Sequence, residues 1–103
     1  MTRGIVALIT LEEAKQAALA WLPGYVDPSI EIAFVDAEAI AKPYGWILFW
    51  GSRRFLETGN IEDAVGGGGP VVVLHDRSVE MLSGAAPTEE RIANFERRRG
   101  LRG

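Results

Sequence analysis

Cysteine is absent from this chain and histidine occurs once, at position 75. The first absence excludes a disulfide framework, a thiolate nucleophile and any metal site built on sulfur. It also fits a reducing compartment. The single histidine leaves no second ligand at metal spacing and no nucleophile for it to activate. His75 stands at a strand end beside Asp76, where surface polar structure is its ordinary role. No stretch approaches the roughly 20 apolar residues of a membrane span. Ile5-Val6-Ala7-Leu8-Ile9 is apolar but too short for a secretory core, and Glu12 and Glu13 follow at once. The chain therefore reads as cytoplasmic, with no membrane partner. Positive charge is not in excess either. A net charge of −3 over 103 residues argues against non-specific nucleic-acid binding.

What is present is an ordinary globular composition, 48% apolar and 24% charged, in a length suited to one domain spanning 1–103. Thr10-Leu11-Glu12-Glu13 has the form of a capping box, and Leu11, Ala14, Ala18, Trp21 and Leu22 recur at helical spacing. A helix over 10–22 follows, with Trp21 as its large core anchor, stopped by Pro23-Gly24. Ile30, Ile32 and Phe34 alternate with Glu31 and Ala33, which predicts a strand over about 29–37. Asp36 to Pro43 is a turn or a slack extension of it.

Tyr44-Gly45-Trp46-Ile47-Leu48-Phe49-Trp50-Gly51-Ser52 carries no charge. A run of this kind is a strand (45–52) buried on both faces, or one whose second face awaits a partner. Ile61 to Val65 fits a single helical turn. Pro70 opens a strand over 70–75, where a missing N–H does least harm. Asp76-Arg77 turns into a further strand over 78–82, and a last helix covers 88–99. The expected fold is α+β: a four-stranded antiparallel meander with a helix before it and a helix after it. One helix covers one sheet face. The other face, carrying either Trp46-Leu48-Trp50 or Ile47-Phe49, is covered by the C-terminal helix or by a second molecule, so a homodimer is possible.

Catalytic candidates fail one by one. A phosphate loop follows a strand, ends in Lys-Ser/Thr and opens a helix. Gly66 to Gly69 instead precede a strand and end in proline. Ser52 and Ser83 lack a nucleophile-elbow context. Glu57, Glu62 and Asp63 read as a solvated face rather than paired catalytic carboxylates. Arg97-Arg98-Arg99 suits a helix C-terminus, with RNA contact as the competing reading. No cofactor or metal is expected, and no enzymatic activity. Trp50 followed by Arg53 and Arg54, with Glu57 beyond, has the make-up of an interface anchor flanked by charges. A core role competes for Trp46 and Trp50.

In order along the chain stand Ile9-Thr10-Leu11-Glu12-Glu13-Ala14, Tyr44-Gly45-Trp46 with Phe49 and Ser52, and Leu56-Glu57-Thr58-Gly59. Gly69-Pro70-Val71-Val72-Val73 and then Gly84 complete the set. Over about Thr10 to Glu96 the chain resembles the YrhB-domain family, immunity protein 35, of bacterial polymorphic toxin systems. It departs from that pattern at Gly68, where Asn is frequent, and near Arg77, where the hairpin turn has Gly. The resemblance implies a non-catalytic inhibitor that binds a cognate toxin, and supplies no catalytic residues. On the residues, Trp50, Arg53, Arg54 and Glu57 are the expected partner-binding set. The competing reading is a chaperone-like or self-associating domain that binds apolar protein segments.

Overall fold

The structure is a computed structural model that describes residues 8–24, 29–59, 69–82 and 86–101. The expected turn at Ile61 to Val65, Gly66 to Gly68 and Gly84 lie outside these residues. The first helix, α1, runs Leu11–Trp21. Its capping box is complete: the Thr10 hydroxyl accepts from the Glu13 N–H at 3.1 Å, and the Glu13 carboxylate accepts from the Thr10 N–H at 2.8 Å. The Thr10 backbone bond, with Arg77 second, holds the Glu13 carboxyl below its usual range. Ala14, Ala18 and Leu22 are buried, whereas Trp21 is only half-buried against them. The core anchor of this helix is thus Leu22. Ala14 and Ala18 lie fully buried in the same cluster, and Trp21 packs at its margin.

The strands are β1 (Ile32–Phe34), β2 (Ile40–Lys42), β3 (Gly45–Leu48), β4 (Trp50–Ser52), β5 (Val71–Leu74) and β6 (Val79–Met81). A four-stranded antiparallel sheet has the order β2-β3-β5-β6, and among the described residues β1 pairs with β4 alone. The meander is present, with two corrections to its expected strands. The strand expected over 29–37 ends at Phe34, because Asp36–Glu38 forms a 3-10 turn. The chain then re-enters the edge as β2, so residues 40–42, not 29–37, begin the four-stranded sheet. The strand expected over 45–52 divides at Phe49, where its neighbour changes from β2 to β1. The Val35 N–H still donates to the Phe49 carbonyl at 2.9 Å across the join. Lys15 of α1 ties the intervening turn down through Asp36 at 3.0 Å.

Period-two alternation sorts the aromatic run onto two faces. Leu48, Val71 and Val73 are buried beneath α1, with Trp46, Trp50, Val79 and Met81 packed around them. Ile47, Val72, Leu82 and Tyr44 face the last helix, α3 (Thr88–Arg99), and are buried against its Ile92 and Phe95. Of the two possibilities for the second face, the C-terminal helix covers it with the Ile47-Phe49 set. The ground for expecting a homodimer, an open second face, therefore falls away.

The helix end is fastened rather than frayed. Gly100 takes a left-handed conformation and the Leu101 N–H donates to the Glu96 carbonyl at 2.7 Å. Arg98 and Arg99 lie over the Phe95 ring and both reach Glu80. Glu96 accepts from the Tyr44 hydroxyl at 2.7 Å and pairs with Lys42 at 3.2 Å. The tyrosine bond, with Lys42 second, keeps the Glu96 carboxyl below its usual range, while burial pushes the Tyr44 phenol up.

The β5–β6 hairpin explains the departure at Arg77. The Arg77 N–H donates to the Leu74 carbonyl and the Leu74 N–H to the Ser78 carbonyl, a three-residue loop whose last residue must be left-handed. Arg77 meets that demand with φ 72°, a conformation that favours glycine. Its compensation is an exposed ion pair to Glu13 at 3.3 Å. Arg77→Gly is expected to raise stability by about 0.5–1 kcal/mol, since relief of left-handed strain outweighs the pair and the freer unfolded chain. Arg77→Ala, which loses the pair and keeps the strain, should give no gain. Chemical denaturation of the two variants side by side checks this.

Candidate functional site

Ser52 ends β4 and starts α2 (Arg53–Thr58), a helix that the polar character of 53–60 did not predict. The buried Ser52 hydroxyl accepts from the Phe55 N–H at 3.0 Å. Gly59, left-handed at φ 70°, closes the other end with its N–H on the Phe55 carbonyl. Ser and Gly at the two ends of a six-residue run were the available signal, and it is a short one.

The helix brings Arg53, Arg54 and Glu57 together on one short element. Arg53 donates to the Glu31 carboxylate at 2.9 Å and lies 3.6 Å from that of Glu57. Its backbone N–H also holds the Glu31 carbonyl at 2.7 Å. These charges are mostly exposed, so their pairing contributes at most about 1 kcal/mol. What the pairing does is hold Arg53 in one orientation. The Arg54 carbonyl accepts from the Thr58 hydroxyl at 2.9 Å. At the middle of the helix Leu56 leans over Gly51 and remains 42% exposed, an apolar side chain on an element that otherwise carries charge. Leu56 and Glu31 are the members of this surface that sequence reasoning missed: in a polar segment, Phe55 and Leu56 both read as inward anchors.

Trp50 is not part of that surface. It packs on the α1 side of the core and its indole N–H donates to the Gly69 carbonyl at 2.6 Å. The indole thus ties β4 to the start of β5. Trp46 behaves alike, its N–H on the Ile9 carbonyl at 3.0 Å. His75 meets the same segment from the other side. Its Nδ1 accepts from the Ile9 N–H at 3.3 Å and its Nε2 lies 3.0 Å from the Pro43 carbonyl, which requires the neutral Nε2–H tautomer.

A second polar constellation surrounds Pro70. In the antiparallel register, the Leu82 N–H donates to the Pro70 carbonyl at 2.8 Å. The reciprocal bond cannot form, because proline has no N–H. The Arg91 guanidinium takes the orphaned Leu82 carbonyl instead, at 3.0 Å, and reaches the Thr88 hydroxyl at 3.3 Å. Gly69 is needed for this approach: a Cβ there would stand 2.0 Å from the Leu82 oxygen.

Among the described residues no cluster of three or more His, Cys, Asp or Glu could hold a metal ion, and no helix is long and apolar enough to cross a membrane. Comparison with curated proteins and with solved structures returns no significant match. The family model for immunity protein 35 matches residues 12–94, from the first turn of α1 to the middle of α3. With most of its length matched, and α2 and both sheets within the match, this chain belongs to the immunity protein 35 family.

Proposed function

We propose that this chain is a non-catalytic immunity protein that neutralises a cognate toxin in the cytoplasm by binding to it and occluding it. The observation that carries this reading is the α2 surface, an exposed Leu56 on the same short helix as Arg53, Arg54 and Glu57, with Glu31 paired to Arg53, on a member of an immunity family. An inhibitor of this kind needs no chemistry, only affinity, and nanomolar binding corresponds to about 12 kcal/mol. An apolar contact desolvated at the centre supplies strength, while oriented charges at the rim set register and on-rate. Trp50 supports the surface from behind, holding β4, from which α2 springs. The chaperone-like alternative needed an open aromatic face, and α1 and α3 lie over both faces of β3.

The test screens the protein domains encoded by the genes adjoining this one for a binder that is toxic to cells. Arg53→Ala with Arg54→Ala should weaken binding at least about tenfold and leave the melting temperature within about 2 °C, as for surface changes elsewhere. Calorimetry and survival of toxin-expressing cells read the two halves. Full protection by the double variant would move the interface off α2.

A further inference from the structure

We propose that the outer edge of β6 takes up an extended, carboxylate-bearing segment of the toxin as an added strand. This rests on the immunity reading above and adds a second contact to it. The register decides which backbone groups are available. Leu82 bonds to Pro70 and Ser78 to Leu74, so the hydrogen-bonded positions on this strand are 78, 80 and 82. Antiparallel pairs alternate, and Val79 and Met81 therefore turn their N–H and C=O groups away from β5. Among the described residues nothing pairs with that edge. At the sheet's other margin, β2, the acidic Asp36–Glu38 turn stands just before the strand and blunts that edge with charge.

The side chains beside the edge give the occupant its chemistry. A cleft of about 260 Å³ opens between β6 and α3, lined by Glu80, Leu82, Arg91, Asn94, Phe95 and Arg98. Glu80 is the one carboxylate of that lining, and it already serves two guanidinium groups, Arg98 at 2.5 Å and Arg99 at 3.8 Å. Arg91 adds a third, whose Nε is buried without a hydrogen-bond partner. Positive charge is in surplus here on an acidic protein. A strand added to β6 would direct alternate side chains toward α3, and an Asp or Glu among them would meet Arg98 at the mouth of the cleft. Main-chain bonds to Val79 and Met81 would provide affinity, and the carboxylate register.

Amide hydrogen exchange on the full chain, with and without the toxin domain identified by the binding test above, tests this. In the free chain the Val79 and Met81 amides should exchange fast and the Glu80 amide slowly. Binding should slow the first two at least tenfold, and Arg98→Glu should weaken the complex at least tenfold. Should that variant fail to fold, the exchange data on the native chain decide alone. Toxin binding with protection confined to residues 53–59 overturns this inference and leaves the proposed function standing. Absence of any binding overturns both.

Discussion

Gly45→Ala is expected to destabilise the protein by about 3–5 kcal/mol, a large part of the total for a domain of this size. Gly45 opens β3 at φ 151°, opposite Leu74 of β5. A Cβ there would lie 2.0 Å from the Val73 carbonyl oxygen and 2.8 Å from the Leu74 Cα, and both are backbone atoms. A side chain could rotate away from such a contact; a central strand cannot. The β3–β5 ladder would have to part where Tyr44 and Trp46, on either side of the glycine, hold α3 and Ile9. Gly51→Ala is the control, because its Cβ would meet only Leu56 at 3.6 Å, an ordinary contact. Urea denaturation should separate the two variants by several kcal/mol. Equal losses would mean that residue type, rather than the approach of β5, sets the cost.

Phe95→Ala is the second large effect, again about 3–5 kcal/mol for a fully buried ring. Phe95 touches Tyr44 with ring centroids 5.8 Å apart and lies beneath the guanidinium groups of Arg98 and Arg99. It is the main apolar contact by which α3 covers Ile47 and Val72. Removing it should do more than lower the melting temperature. The uncovered face is an apolar patch, so the variant should bind a hydrophobic dye and associate as concentration rises. Sedimentation checks the association. A monomeric variant that loses less than about 1 kcal/mol would mean that α3 is not the cover.

Much of this architecture was legible in the chain because local chemistry and tertiary need agreed. The Thr10–Glu13 capping box, Pro70 at the opening of an apolar strand and the span 88–99 each satisfied one rule at a time. What escaped was decided by partners distant in sequence. Nothing local told Phe49 that its neighbour would change there from β2 to β1, so one uncharged run became two strands. Trp21 has the size of a core anchor, but the smaller Ala14, Ala18 and Leu22 take the fully buried positions and leave it at the margin of the cluster. The candidate surface was legible in part. Arg53, Arg54 and Glu57 do share a helix, whereas Trp50 turned inward to bond the Gly69 carbonyl, a contact no spacing reveals. Leu56, the exposed residue among them, was hidden by the general rule that leucine goes inside.

The exchange of hydrogen bonds around Pro70 bears on how this sequence can drift. Position 70 offers no N–H, so the Leu82 carbonyl depends on Arg91, and Arg91 fits because Gly69 has no side chain. A lineage that lost Arg91 first would strand a buried carbonyl, at roughly 1–3 kcal/mol. One that first replaced Pro70 would place two donors before a single oxygen and make the arginine dispensable. The two positions are epistatic, and the second route is the passable one. Ancestry would then be written in their pairing: a relative with a different residue at 70 is free to have abandoned the arginine, whereas one retaining the proline is not.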